Sequence, residues 1–367
     1  MPYDFRLSEE QLLFQREATR VISEMVSFDM ARTAEDHGLA HVMDRWRRLG
    51  DLGYAGICAA EQHCGGELGL VELTLLAEQA GARAAPLPLV WHNAAVRSIS
   101  RAADRPVRPE LAAELASGRQ IVTVAHLEAG DTADPRSIEA ELAEQGGQFR
   151  LIARKTFVPF ATIAQYFLAT ARFGDGYALA LVPSESATVS PYRSTGRDGR
   201  AMVAVDATLS QDMLVASGDA SIVEDLLGAV QVGLCGYATG ASRAAMDMAV
   251  AYAKDRIIFG RALGSFQAVA HRAADMLYDV EGGQLLTLEA AWRIDSGRPA
   301  GDYVAGACAY VGAGSQRVLA HAHQIHGAIG FTFEHNLSLL STVVKATAAD
   351  LGREDVNQEK VAVALGI

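Results

Sequence analysis

Basic charge, cysteine and long apolar runs are what this chain of 367 residues has least of, and each shortage removes a class of function. Its 32 lysines and arginines are outnumbered by 44 acids, for a formal charge of −12. A phosphate-binding surface needs clustered cations, so nucleic acid is not an expected partner. Four cysteines in so long a chain make no disulfide framework. Cys58, His63 and Cys64 in "GICAAEQHCGG" resemble a ligand cluster, but the gap from Cys58 to His63 is not a zinc spacing and no second ligand pair follows. No metal is expected, and Cys58, Cys64, Cys235 and Cys308 read as small buried hydrophobes. No stretch approaches the roughly 18 apolar residues of a membrane span. The opening "MPYDFRLSEEQLLFQREA" carries acids where a secretion signal carries cations, so the expected location is cytoplasmic. What remains, at 50% hydrophobic and 21% charged residues, is an ordinary chain with a large core and room for two or three domains.

Periodicity changes twice along the chain. From "LSEEQLLFQREATRVISEMV" to "LAAELASGRQ" apolar residues recur at three- and four-residue steps, with Ser8 placed to cap a first helix that opens on Glu9 and Glu10. Residues 1–118 are therefore expected to form a helical domain, interrupted by a glycine-rich loop in "WRRLGDLGYAGICAAEQHCGGELGL". From 119 to 218 short β-branched or aromatic runs ("QIVTVAHLEA", "FRLIARKTFVPF", "QYFLATARFGDGYALALVP", "AMVAVDATLS") alternate with Gly, Asp and Pro turns, which predicts an antiparallel β-domain. The acidic "EAELAEQ" reads as a solvated helix or turn. Helical periodicity returns after "SGDASIVEDLL", and the many small residues of 219–367 suit a four-helix bundle of long, closely packed helices.

Two stretches of the last domain stand out. "YAKDRIIFGRALGSFQAVAHRAADM" contains Arg256, Phe259, Gly260, Phe266 and Gln267, and "QIHGAIGFTFEH" contains Gln324, His326, Gly327 and Gly330. A fixed guanidinium and glycine backbone that a ligand can approach closely are what a pyrophosphate requires. The same glycines also suit tight helix packing. In this order and at this separation, the two stretches resemble the acyl-CoA dehydrogenase flavoproteins, and the likeness extends over nearly the whole chain.

That resemblance implies an α+β fold, acyl-CoA dehydrogenase-like, in the domain order just given. It implies FAD as cofactor, an acyl-CoA thioester as substrate, an electron-transferring flavoprotein as acceptor, and a dimer or tetramer with the flavin bound across a subunit interface. Arg256, Phe259, Gln267, Gln324, Gly327 and Gly330 then face the ADP half of a neighbour's flavin, and Phe157 stacks on a ring. Members take a proton from the α-carbon with a glutamate and pass a hydride from the β-carbon to the flavin.

Here the chain departs from the family pattern. The late glutamate position aligns with Leu351, beside Asp350, and the alternative position aligns with Val230. Asp350 is the one candidate base, although one residue's offset on a helix rotates it by about 100°. The flavin-ring segments align with Leu127–Ala129 and Phe157–Pro159, where both family hydroxyls are missing and Pro159 lacks an N–H. Ala328 stands where a glycine is usual, and "NLSLLSTVV" replaces an arginine-bearing tail. The ADP-binding set is kept while the ring and base positions are eroded. Such asymmetry fits a subunit of a mixed oligomer with a glutamate-bearing homologue, as in members acting on bulky thioesters such as steroid side chains; the other reading is a non-catalytic member that completes a partner's FAD site or binds CoA esters without redox activity. Glu334 and His335 are expected to orient their segment. His321, His323 and His326 do not share one helix face and are expected to be structural.

Overall fold

The computed structural model describes residues 6–37, 39–102, 107–130 and 134–367. Among the described residues six α-helices come first: α1 (Glu9–Met25), α2 (Phe28–His37), α3 (Met43–Asp51), α4 (Leu70–Ala82), α5 (Leu89–Ser100) and α6 (Pro109–Ala116). The Ser8 hydroxyl accepts from Gln11 N while the Gln11 side chain accepts from Ser8 N, a reciprocal capping box that fixes where α1 starts.

Eight strands follow: β1 (Val122–Ala125), β2 (Glu141–Gln145), β3 (Gln148–Val158), β4 (Tyr166–Phe173), β5 (Gly176–Pro183), β6 (Ala187–Pro191), β7 (Ala201–Leu209) and β8 (Leu214–Gly218). They form one sheet in the order β6-β7-β3-β2-β4-β5-β8, with β1 beside β4. Pairing is antiparallel except where β1 and β2 meet β4, so the sheet is mixed. The acidic "EAELAEQ" is not a helix or turn: it supplies β2, whose Leu142 is buried while its other side chains are exposed. Gly146 and Gly147, both at positive φ, turn the chain so that Gln145 pairs with Gln148. A two-residue glycine turn of this kind favours a hairpin over the helix that acidic composition suggests.

The remainder is helical: α7 (Ser221–Asp255), α8 (Gln267–Asp295), α9 (Gly301–His326), α10 (Asn336–Asp350) and α11 (Glu354–Leu365), with a small hairpin of β9 (Ile257–Ile258) and β10 (Arg261–Ala262) between α7 and α8. None of the described helices is long and apolar enough to cross a membrane.

The chain packs as two compact units. One combines residues up to 32, 70–85 and 231–367, so α1 and α4 pack with the C-terminal helices. Contact there is at backbone distance: a Cβ on Gly81 would lie 1.9 Å from the Tyr237 carbonyl oxygen, and one on Gly240 1.8 Å from that of Glu78. Its core joins Met246, Ala249 and Ala253 of α7 to Met276 of α8, Ile325 of α9 and Leu340 of α10. The "NLSLLSTVV" run is the start of α10, and its Leu337, Leu339, Leu340, Val343 and Val344 are buried. The other unit, 33–69 and 86–230, places α3, α5 and α6 with the sheet. There Arg97, only 2% exposed, forms a paired ion contact with Asp225 at 2.6 and 3.1 Å.

Candidate functional site

In the helical unit the two marked stretches meet. α7 ends where Arg256 N donates to the Tyr252 carbonyl (2.8 Å), and Leu263 N returns to the Arg256 carbonyl at 2.7 Å. The intervening hairpin turns at Phe259 and Gly260, with φ of +49° and +79°. Two consecutive left-handed residues make a tight primed turn, which glycine adopts freely and phenylalanine does not. The Phe259 ring is nevertheless 92% exposed, so the unfavourable backbone is spent on presenting an aromatic outward. The Arg261 guanidinium lies 3.9 Å from the centre of the Phe266 ring, and Phe266 caps α8 just before the exposed Gln267. Arg256 is exposed and forms no ion pair among the described residues.

α9 ends at His326, whose ring stacks on Tyr252 (centroids 4.8 Å, 23°) and so brings the second stretch against the end of α7. One turn earlier the His321 ring meets Arg272 of α8 at 2.8 Å. Gln324 is exposed on the last turn. Gly327 caps the helix at φ +65° and ψ −145°, and a Cβ there would meet no atom within 4 Å. Its backbone is bare to the outside and its dihedrals suit glycine alone. Gly330 has a different reason: a Cβ would sit 2.9 Å from His326 Cβ and 3.3 Å from Leu337 Cδ2, so packing within the chain requires glycine here. Phe331 stacks on His323 (4.4 Å, 22°) and is exposed, as are Ile329 and Phe333. His335 accepts from Leu337 N to cap α10, while Arg32 donates to the Glu334 carbonyl oxygen (3.0 Å) and to Asn336 Oδ1 (3.1 Å). Glu334 therefore anchors the segment through its backbone. Burial first, then the neighbouring His326, lowers the pKa of His323 and His335, which favours neutral rings beside this end of the bundle.

The two positions that the resemblance assigns to the base carry hydrocarbon. Leu351 caps α10 and is 0% exposed; its carbonyl accepts from Asn357 Nδ2 at 2.9 Å. Asp350, the last residue of α10, is half-buried. In the sheet-bearing unit Val230 on α7 is 3% exposed. An aliphatic side chain accepts no proton, and these two are packed as core.

On the sheet, the segments aligned with the flavin ring lie side by side. Thr156 N donates to the Leu127 carbonyl at 2.7 Å, and Thr123 Oγ1 donates to the Pro159 carbonyl at 2.8 Å. The β3–β7 ladder slips between Lys155 and Val158, and inside the slip Phe157 has φ +50° and a half-exposed ring tilted against Tyr192 (centroids 5.1 Å, 34°). Leu127, Phe157 and Pro159 offer no side-chain hydroxyl, so this surface suits stacking rather than hydrogen bonding to a polar ring edge.

Tyr192 and Tyr252 have no sequence signal that marks them out. Lys155 has one: along β3 the residues Phe149, Leu151, Ala153 and Lys155 alternate inward, which places a cation where period two demands an apolar residue. Among the described residues no group of three His, Cys, Asp or Glu side chains could hold a metal. Cys58, Cys235 and Cys308 are buried, and Cys64 is exposed.

With this geometry in place, the chain matches two family models: "Acyl-CoA dehydrogenase, N-terminal domain" over residues 8–119 and "Acyl-CoA dehydrogenase, C-terminal domain" over 220–366. It is 26% identical over 348 residues to the acyl-CoA dehydrogenase IpdE2 of Mycolicibacterium smegmatis, covering 94% of this chain and 96% of that one. The ChsE4–ChsE5 complex from Mycobacterium tuberculosis is similar over 99% of both chains at 25% identity and a TM-score of 0.88. The structure of PigA with FAD and proline shares the fold over 99% of both chains, at 23% identity and a TM-score of 0.91.

Proposed function

Because the chain belongs to the acyl-CoA dehydrogenase family, we propose that it is one subunit of an FAD-dependent enzyme that desaturates the α,β bond of an acyl-CoA thioester, and that a homologous subunit supplies the base. Bound flavin supplies the hydride acceptor; the α-proton must go to a carboxylate. The observation carrying the reading is the contrast between Leu351, wholly buried at the base position, and Arg256, Phe259 and Gly327, all directed outward. Arg256 would hold a pyrophosphate oxygen, Gly327 would let the dinucleotide approach the backbone, and Gln267 and Gln324 would donate to it from the ends of α8 and α9. Phe259 would cover the adenine side. Gly330 keeps the turn closed behind them. The chain's share of the work is thus to bind and orient the ADP half of a neighbour's flavin across a subunit boundary and to offer Phe157 on its own sheet for stacking on a flavin ring, and the ChsE4–ChsE5 relative is itself a complex of two named chains.

Expression alone and with a glutamate-bearing homologue tests this. The isolated chain is expected to be colourless. The co-expressed complex is expected to retain flavin that an acyl-CoA bleaches in the absence of oxygen. A homo-oligomer that is yellow and bleached by acyl-CoA would overturn the division of labour.

A further inference from the structure

The sheet contains a buried cation to which the proposed function assigns no task. Lys155 is 0% exposed, and its Nζ donates to Glu128 Oε1 (2.5 Å), the His126 carbonyl (3.1 Å) and Thr170 Oγ1 (3.2 Å). The Glu128 carboxylate also accepts from Glu139 N (2.6 Å) and Ala140 N (3.1 Å). Thr170 on β4 lies 3.0 Å from His126 Nδ1. Burial and then the Lys155 charge push the His126 pKa down to about 3, so its ring is neutral. With Thr170 Oγ1 accepting from Lys155, the Thr170 hydroxyl can donate to His126 Nδ1.

This cluster lies where the sheet is irregular. The β3–β7 ladder slips immediately after Lys155, and a backbone bond from Thr156 N to the Leu127 carbonyl ties residues 155–157 to 126–128. Lys155 adds ties to both sides of that bond, to the His126 carbonyl and to the Glu128 carboxylate. A buried ion pair is seldom better for stability than apolar side chains of the same volume; its distinctive property is direction, since the ammonium fixes three acceptors around one point. The residue two places on, Phe157, holds a left-handed backbone that an aromatic keeps only where its surroundings over-determine it.

We propose that Lys155 is a positioning residue: through Glu128, the His126 carbonyl and Thr170 it locks the Phe157 bulge to the segment around Leu127, presenting the Phe157–Tyr192 aromatic pair preformed to a planar ring. That the ring is flavin rests on the function proposed above; the locking does not.

The test uses the full chain labelled with fluorotryptophan and carrying Phe157→Trp, which adds one ¹⁹F resonance to those of Trp46, Trp91 and Trp292. In the double variant Lys155→Met/Glu128→Gln both charges are gone, so no unpaired buried charge remains. The residue-157 resonance is expected to broaden or split while the other three stay sharp, and FAD affinity of the co-expressed complex is expected to fall about tenfold. A single sharp, unshifted residue-157 resonance would overturn the proposal. Broadening with unchanged FAD affinity would uphold the locking and count instead against flavin as the ring. Should the double variant not fold, Thr170→Val removes one acceptor without stranding a charge. The same resonance must then broaden, and an unchanged one overturns the proposal.

Discussion

A carboxylate one residue away from the place where a base is needed is a sharp question at the residue scale. Asp350 ends α10 and Leu351 follows it into the core. Removing a true general base costs roughly 10²- to 10⁴-fold. Asp350→Asn in the active assembly is expected to leave turnover within about twofold, because the base is assigned to the partner; a loss of a hundredfold with flavin still bound would transfer the role to Asp350. Arg256→Ala is expected to weaken FAD retention about ten- to a hundredfold with little effect on folding, since the side chain is exposed and a charge-assisted bond to phosphate is worth roughly 1.5–3 kcal/mol. Equilibrium dialysis of the complex measures it, and unchanged flavin content would return Arg256 to a structural role.

Elements are held here by backbone proximity as much as by side chains. α4 and α7 approach so closely at Gly81 and Gly240 that a methyl group at either would overlap a carbonyl oxygen of the opposite helix. Overpacking ordinarily costs about 1–3 kcal/mol, and a backbone obstacle cannot rotate away. Gly240→Ala is therefore expected to destabilise the helical unit by at least about 3 kcal/mol, seen as a lowered urea midpoint, whereas Gly301→Ala, with nothing within 4 Å, is expected to leave the unfolding free energy unchanged within about 0.5 kcal/mol. Equal shifts would show that helix separation adjusts.

For the molecule as a whole, the buried neutral histidines His92 and His126 contribute to acid sensitivity. His92 accepts from Val122 N at Nδ1 and contacts the Leu115 carbonyl through Nε2 at 2.9 Å, and burial pushes its pKa down to about 4. His126 is pushed to about 3. Both folded values lie below the ordinary 6.5, so the unfolded chain binds the proton first. Their contribution is complete above about pH 6.5 and is lost as pH falls towards the folded values. By pH 5 each costs about 2 kcal/mol. Urea unfolding is expected to give a stability that is flat near neutrality and falls between pH 6.5 and 5, less steeply in His92→Gln. A slope unchanged by that substitution would remove His92 from the account. At the same scale, the exposed Phe259, Phe331 and Phe333 predict association: light scattering is expected to report a dimer or larger at micromolar concentration, and a monomer would count against a cofactor site shared between subunits.

How much of this was legible in the sequence follows from the range of the forces involved. Helix starts such as Ser8, the three- and four-residue periodicity and the long strand runs are local, so the helix–strand–helix order could be read along the chain. The two glycine- and arginine-bearing stretches were equally plain, because their residue types carry their chemistry. β2 is the exception: its acidic composition suggests a solvated helix or turn, while the Gly146–Gly147 turn that makes it a hairpin strand is only two residues long. Only tertiary structure could divide the early helices between two units, distinguish the outward need for glycine at Gly327 from the inward need at Gly330, show that Leu351 and Val230 are core, or assemble Lys155 with Glu128, His126 and Thr170. Burial and partner choice are set by segments distant in sequence, and a single chain of letters does not record which of them meet.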